Sequence, residues 1–169
     1  MTVTVYVWDY RGSKEAWGHA AANVEDGKKT AYITWWPNTG EIVDQLKLMP
    51  NIYSARPFRN RTHEEDIFDE RTETHPSGKP NHVIALKGLD EQAIFRWWDR
   101  FSKSTAVWST ASQNCSTVVA TALKMGGSDR YVGWWRWDSW NVVWHPDDVR
   151  AYAFALREAL VSAGKMKRN

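Results

Sequence analysis

The stretch Ser112-Gln113-Asn114-Cys115-Ser116-Thr117-Val118-Val119-Ala120-Thr121-Ala122-Leu123 decides how the rest of the chain is interpreted. It contains the single cysteine of the 169 residues, and it has the pattern of a helix start. Ser112 or Asn114 can cap the first turn, because their side-chain oxygens accept hydrogen bonds from free backbone N–H groups. An apolar stripe begins at Cys115 and ends before Gly126-Gly127, a pair that favours helix termination.

Cys115 is therefore a candidate nucleophile. A cysteine in the first helical turn lies at the positive end of the helix dipole, which favours the reactive thiolate. The alternative is a cysteine that only fills space, since free cysteine is among the most buried residue types. The polar Ser-Gln-Asn run before Cys115, together with a histidine far upstream, favours the reactive interpretation.

Length and composition indicate an ordinary globular chain. The 169 residues suit one domain over 1–169 with a hydrophobic core. The 22 basic and 20 acidic residues give a net charge of +2, too balanced to predict binding to nucleic acid. One cysteine excludes an internal disulfide, and no Cys/His cluster has zinc-like spacing. We expect no metal and no cofactor.

The N-terminal segment predicts a strand rather than a targeting signal. Residues 1–8 alternate between apolar and polar side chains and lack the basic region of a signal peptide. No apolar run approaches the ~18 residues that a membrane span needs. We expect neither a signal peptide nor a transmembrane segment.

The order of elements predicts an α+β fold with an antiparallel sheet. Helices are expected after the cap residue Asp90, from Cys115, and from Pro146. A long polar surface loop is expected at about 54–81, because this stretch is rich in charge, proline and glycine. Alternating or β-branched runs predict strands over 2–10, 16–24, 30–36 and 82–87.

Twelve tryptophans are the compositional anomaly. Tryptophan combines a large apolar ring with one N–H, so it tends to line pockets or lie at interfaces. A tryptophan-rich core is the alternative interpretation. Five tryptophans lie within 134–144, more than one face of a strand can bury. We expect substrate contacts from Trp35, Trp36, Trp134 and Trp135.

His19 is the preferred base for Cys115. Gly18 before it permits close approach of another chain segment, and the small residues after it leave room beside the ring. His82 also begins a predicted strand and is the second candidate. His145 precedes a helix, which indicates a capping or packing role.

Taken together, these segments resemble a known family. Residues 18–24 (Gly-His-Ala-Ala-Ala-Asn-Val), a turn, and 32–34 (Tyr-Ile-Thr) resemble the histidine strand–turn–strand of NlpC/P60 papain-like hydrolases. Residues 113–116 (Gln-Asn-Cys-Ser) resemble their nucleophile helix. The histidine precedes the cysteine, as in the circularly permuted branch that includes lecithin:retinol acyltransferase-like proteins. The same segments are similar to domains of bacterial toxins and secreted effectors.

The resemblance implies a papain-like fold in permuted order, with Cys115 as nucleophile and His19 as base. Its third catalytic group is a polar residue on the strand after the histidine. Register places Thr34 there, and Glu41 is the alternative. The oxyanion hole would come from the Cys115 backbone N–H, with Gln113 as a further donor.

The resemblance also implies an acyl-cysteine intermediate. The tryptophans favour phospholipid acyl esters as the substrate, cleaved or transferred by a phospholipase-like enzyme. One alternative is an amidase or peptidase that cuts peptidoglycan or a target protein. Another is a non-enzymatic tryptophan-rich module that binds membrane or glycan.

The resemblance further predicts a bacterial effector, such as an antibacterial type VI secretion effector. It would be cytoplasmic before its delivery and secreted into a target cell. Such effectors can contact the membrane peripherally, and they can have an immunity protein as partner.

Overall fold

The computed structural model of the chain describes residues 1–9, 18–36, 52–53, 61–104, 106, 108–109, 113–133 and 144–168. Within these ranges the strands are β1 Thr2–Trp8, β2 His19–Glu25, β3 Thr30–Ile33, β4 Ile52–Tyr53, β5 His82–Leu86 and β6 Trp108–Ser109. The helices are α1 His63–Asp69, α2 Glu91–Phe101, α3 Cys115–Met125 and α4 Pro146–Ser162, with a 3-10 turn at Ser128–Arg130.

A four-stranded antiparallel sheet organises the domain, in the order β3-β2-β1-β5. The two short strands β4 and β6 pair separately. The predicted α+β class with an antiparallel sheet is confirmed. The permuted papain-like arrangement remains a prediction.

Side chains alternate between the two faces of the sheet, and other elements cover both faces. Val3, Val5 and Val7 of β1 are fully buried on one face, against the layer of α2, α3 and α4. Trp8, on the opposite face, pairs with His19 across β1 and β2. Because side chains alternate along a strand, this register places His19 on the face that α1 covers.

Each long helix begins at a residue that the sequence predicts as a cap. The Asp90 side chain accepts from the Ala93 N–H at 2.8 Å at the start of α2. Asn114, rather than Ser112, caps α3 by accepting from the Thr117 N–H at 2.9 Å. These bonds satisfy N–H groups that have no partner within the helix.

The prediction of a long irregular loop over 54–81 is wrong for its central part, which contains α1. Thr62 and Glu65 form a reciprocal capping box that starts this helix. After α1 the chain packs back on it, and Gly78 lies against Ile67. The Thr-x-x-Glu spacing in the sequence could have indicated this helix start. The many charged residues around it favoured the interpretation of the stretch as a loop.

The strands are shorter than predicted. The first ends at Trp8 and the third at Ile33, while the second begins at His19 in place of residue 16. Residues 10–17 lie outside the described residues. In the described part of the chain, no helix has both the length and the apolar character needed to cross a membrane.

Candidate functional site

The start of β2 and the start of α3 meet at the candidate site. Gly18, with φ 74°, turns the chain into β2 so that His19 stands at the end of the sheet. Cys115 is the first residue of α3. The His19 ring lies close enough to the Cys115 thiol for each group to shift the pKa of the other. The structure therefore brings together the pair that the sequence analysis placed in the site.

The electrostatics of this pair favour an imidazolium and a thiolate. Burial by itself lowers the pKa of His19, but Asp66 and Cys115 together raise it to about 10. Burial raises the pKa of the Cys115 thiol, but His19 and hydrogen bonds from Ala20 and Ser116 bring it below its ordinary value. A thiolate held by a cation is the reactive form of cysteine.

Asp66 is the group that the sequence analysis missed. Its carboxylate is fully buried in α1. Five donors surround it: Oδ2 accepts from Thr34 and Tyr32 at 2.8 Å and from His19 Nε2 at 3.2 Å, and Oδ1 accepts from Trp36 Nε1 at 2.8 Å and Arg61 Nε at 2.6 Å.

Asp66 is ionised in this setting. Burial alone raises its pKa, but the charge of His19 and the hydrogen bonds from His19, Arg61 and Tyr32 hold it below its usual range. Since Nε2 of His19 faces Asp66, Nδ1 is the ring nitrogen left for Cys115. A cysteine, a histidine and an orienting carboxylate have the geometry of a catalytic triad.

Thr34 stands beside Asp66. Its Oγ1 lies 3.0 Å from His19 Nε2 and donates to Asp66 Oδ2. Thr34 thus reaches the histidine as register predicted, but the charge that opposes the imidazolium comes from Asp66. Glu41, the alternative third group, lies outside the described residues.

Aromatic rings enclose His19. Trp36 stacks on the imidazole with 4.4 Å between ring centroids, and Trp8 lies at 5.4 Å in a tilted arrangement. The Arg61 guanidinium lies over the Trp36 ring at 5.0 Å. Trp36 is therefore at the site, where it fixes the ring of His19 and donates to Asp66.

Trp35 does not lie where the sequence analysis expected. It is 1% exposed and packs on Phe101 at 4.8 Å between centroids, so it is a core residue and not a substrate contact. Trp144 is also in the core, at 5.7 Å from Tyr152. The adjacent Trp35 and Trp36 thus have different surroundings, with Trp35 against Phe101 in the core and Trp36 against the His19 ring. Trp134 and Trp135 lie outside the described residues.

Gln113 carries a buried amide nitrogen two residues before the thiol. Its Nε2 has no hydrogen-bond partner among the described residues. A buried donor without a partner costs free energy, so it is available to an acceptor such as a substrate carbonyl. The donor role that the resemblance implies for Gln113 stays a prediction.

His82, the second candidate base, has other partners. Its Nε2 lies 3.2 Å from Asp9 and 3.3 Å from Arg150 Nη1. The structure brings His19, and not His82, to Cys115. His145 is the N-cap residue of α4, and its backbone N–H donates to Asp148, as the sequence pattern indicated.

A second layer of polar aromatic residues supports Asp66. The His63 ring stacks on Tyr6 at 4.2 Å, and its Nδ1 lies 3.3 Å from the Tyr32 hydroxyl that donates to Asp66. The His63 residue is half-buried in this second layer. Among the described residues, no group of His, Cys, Asp and Glu could hold a metal ion.

A family model described as the IcsB middle domain matches residues 60–169, which is more than half of the chain. The chain belongs to the IcsB middle domain family. The matched part includes Asp66 and Cys115, whereas His19 lies before it.

Two curated relatives share part of this sequence. The multifunctional-autoprocessing repeats-in-toxin proteins of Vibrio vulnificus and of Vibrio cholerae serotype O1 (strain ATCC 39315 / El Tor Inaba N16961) are each 34% identical to it over 87 residues. That stretch is 51% of this chain and 2% of each relative, so the chain spans a very small part of their length. These matches support the predicted similarity of this IcsB middle domain chain to bacterial toxins and effectors.

Proposed function

We propose that this chain is a cysteine-dependent acyl-transfer domain. Cys115 is the nucleophile, His19 is the acid–base group, and Asp66 orients and charges the imidazole. The observations that carry the proposal are the electrostatic interaction of His19 with Cys115 and the buried Asp66 carboxylate, whose Oδ2 lies 3.2 Å from His19 Nε2. Such a pair needs no further base to generate the thiolate.

In the first half-reaction the Cys115 thiolate attacks the carbonyl carbon of an acyl ester. The carbonyl π electrons move to oxygen, and a tetrahedral intermediate forms. His19 then gives its Nδ1 proton to the leaving alkoxide oxygen as the ester C–O bond breaks. The products are a free alcohol, an acyl-cysteine and a neutral imidazole.

In the second half-reaction the neutral His19 removes a proton from water or from an acceptor hydroxyl or amine. The activated acceptor attacks the thioester, and the Cys115 thiolate leaves. Water gives hydrolysis, and another acceptor gives transfer. Asp66 stabilises the imidazolium that each cycle restores.

The oxyanion of both intermediates needs donors near the sulfur. The Cys115 backbone N–H stands at the helix start, where no intrahelical acceptor is available to it. The buried amide of Gln113 is the second donor in this proposal. Thr34 has no such role here, since its hydroxyl is engaged with Asp66.

Phospholipid acyl esters are the substrate class that we favour. The half-buried Trp36 ring beside His19 and the tryptophan-rich composition support contact with an acyl chain. Trp35 and Trp144 no longer support it, because both are core residues. The similarity to toxin proteins supports delivery into a target cell, where this domain would act on membrane lipid.

The test incubates the protein with phospholipid vesicles and, separately, with peptidoglycan, and analyses products by mass spectrometry. We expect released or transferred acyl groups, and an acyl mass added to Cys115. Cys115→Ala should abolish both signals, and His75→Ala, which changes a histidine outside the site, should preserve them.

Each contrary result has a distinct meaning. Cleaved peptidoglycan with intact lipid would replace the lipid substrate by an amide, with the same catalytic pair. Full turnover by Cys115→Ala would exclude the cysteine mechanism. Binding to vesicles or glycan that survives thiol alkylation, with no product from either substrate, would identify a binding module.

A further inference from the structure

A basic groove lies on the solvent side of α2, apart from the residues around Asp66. The exposed positions of α2 recur at spacings of four, three and one residues, which places them on one side of the helix. The turn between β2 and β3 forms the opposite wall. The groove has a volume of about 380 Å³ and is lined by Lys29, Gln92, Phe95, Arg96, Asp99 and Arg100.

The two arginines of this groove have no ion-pair partner within the described part of the chain. Lys29 differs, because Asp26 of the same turn accepts from its backbone N–H and interacts with its charge. Asp99, the acid of the groove wall, already pairs with the exposed Lys103 at 2.8 Å.

The nearby Asp26 in the β2–β3 turn is also occupied. It accepts from two backbone N–H groups of its own turn and from the Gln92 side chain. The residues that line the groove include three cations and one acid, so an anionic partner complements it.

Aromatic rings adjoin these cations. Phe95 is half-buried in the groove wall, and Trp97 stacks on Phe101 at 5.1 Å between centroids. Phe101 in turn contacts Trp35, whose neighbour Trp36 covers His19. Basic side chains beside aromatic rings are typical of surfaces that meet lipid headgroups.

We propose that this groove binds the anionic headgroups of a phospholipid surface. The inference rests on the proposed function, because it places the domain on the membrane that holds its acyl substrate. Three cations suit a few phosphate or carboxylate groups in a headgroup layer. They are too few for the six to ten phosphate contacts on which salt-dependent nucleic-acid binding typically rests.

The experiment measures sedimentation of the full chain with vesicles, using Cys115→Ala so that no lipid is consumed. Vesicles of phosphatidylcholine alone are compared with vesicles that also contain phosphatidylserine. We expect binding to the anionic vesicles that weakens as salt rises, since exposed charges are screened over about 10 Å at 0.1 M salt. Equal binding to both vesicle types, or no binding to either, would overturn the proposal.

A charge-matched pair of variants locates the binding surface. Arg96→Gln with Arg100→Gln removes two groove cations and should weaken the partition onto anionic vesicles at least about tenfold. Lys79→Gln with Lys87→Gln removes the same charge from exposed positions after α1 and after β5, and should change it far less. If both double variants lost vesicle binding equally, the net charge of the protein would explain the binding, and the proposal that the groove is the binding site would be contradicted.

Two further readouts separate this inference from the proposed function. Vesicle binding by Cys115→Ala does not depend on turnover, so a failure of the acyl-cysteine test leaves the groove proposal standing. If the protein formed an acyl-cysteine from a soluble thioester but did not bind vesicles, the groove proposal would be wrong and the proposed catalytic function would stand. A single-stranded oligonucleotide that binds more tightly than anionic vesicles would also overturn it. Unchanged melting temperatures of the variants exclude loss of fold as the cause.

Discussion

At the scale of single residues, the site depends on one carboxylate. A buried charge is costly unless hydrogen bonds and an opposite charge compensate it. Asp66 has both, because every face of its carboxylate meets a donor and two of the donors, Arg61 and His19, are cationic groups. The same contacts connect α1 to β2 and β3, so the orientation of the histidine and the position of the helix depend on one residue.

Replacing Asp66 by asparagine tests that dependence. Asp66→Asn removes the charge that holds the imidazolium and turns an N–H₂ group toward at least one former donor. We expect kcat to fall about a hundredfold or more, as for triads that lose their carboxylate. Steady-state kinetics on the substrate identified by mass spectrometry measure this. Glu64→Gln is the matched control, since Glu64 is an exposed carboxylate on the same helix. Wild-type kcat in Asp66→Asn would contradict the orienting role.

The charge state of Cys115 gives a second prediction at this scale. Because His19 lowers the pKa of the thiol, the wild-type protein should react with iodoacetamide at pH values where an ordinary thiol is protonated. His19→Ala removes the cation, so the midpoint of the rate profile should move to higher pH. Alkylation followed by mass spectrometry over a pH series measures both profiles. His75→Ala should leave the midpoint in place, and an unmoved midpoint in His19→Ala would refute the ion pair.

The sequence could identify the pair but not the carboxylate. Cys115 is unique in the chain, and His19 stands out by its glycine and alanine neighbours. Asp66 lies among several acidic residues that look alike in sequence, and four of its five donors come from segments far from it along the chain. Selection of one acid among these requires the tertiary packing of α1 on the sheet.

At the scale of elements, the three long helices were predictable and the seven-residue α1 was not. Caps at Asp90 and Asn114 and a proline at 146 define helix starts from neighbouring residues alone. α1 has only seven residues, and it presents few apolar side chains to the core. Its position comes from the buried contacts of Asp66 and from the segment that returns after it. Short helices of this kind carry too little periodicity for sequence analysis.

Gly78 holds that returning segment against α1. It has φ 62°, its carbonyl accepts from Trp8 Nε1 at 2.7 Å, and a Cβ at this position would lie 1.9 Å from the Ile67 carbonyl oxygen. Gly78→Ala should therefore displace α1, lower the melting temperature, and reduce kcat through the misplaced Asp66. Thermal unfolding and steady-state kinetics on the same preparation measure the two effects.

Gly27 supplies the control for this prediction. It has a similarly positive φ of 88°, but a Cβ there would meet nothing within 4 Å. Gly27→Ala should lower stability through backbone strain, by about 1 kcal/mol or somewhat more, and leave kcat near the wild-type value. Loss of kcat in proportion to stability in both variants would contradict the positional role of Gly78.

At the scale of the whole molecule, the proposed catalytic pair links the two layers of the fold. His19 belongs to the face of the sheet that α1 covers, and Cys115 belongs to the helix layer on the other face. Their ion pair closes the end of the sheet between these layers. Folding raises the pKa of His19 and lowers the pKa of Cys115. The protonation of both groups is therefore linked to the global free energy of unfolding.

The last prediction follows from counting protons on this pair. The ordinary pKa values are 6.5 for histidine and 9.0 for cysteine, and folding raises the first and lowers the second. Between those two values the unfolded pair holds one proton, on sulfur, and a folded pair in the proposed thiolate–imidazolium state also holds one, on His19. Unfolding then exchanges no proton at this site, and the pair adds no pH dependence to stability.

Outside that window stability should fall on both sides. Below pH 6.5 the unfolded pair binds an extra proton, and above pH 9.0 the folded pair keeps a proton on His19 that the unfolded pair has lost.

Cys115→Ala should change how the free energy of unfolding varies with pH between 6.5 and 9.0. In this variant Asp66 still raises the pKa of folded His19, so the folded histidine keeps its proton to higher pH than the unfolded one, which is neutral above 6.5. The folded state then binds one more proton, so the free energy of unfolding should fall with pH by up to about 1.4 kcal/mol per unit. Urea denaturation at several pH values measures this slope. The double variant Cys115→Ala with His19→Ala removes both titrating groups and should restore the flat profile, whereas a slope that persists in it would assign the pH dependence to other residues.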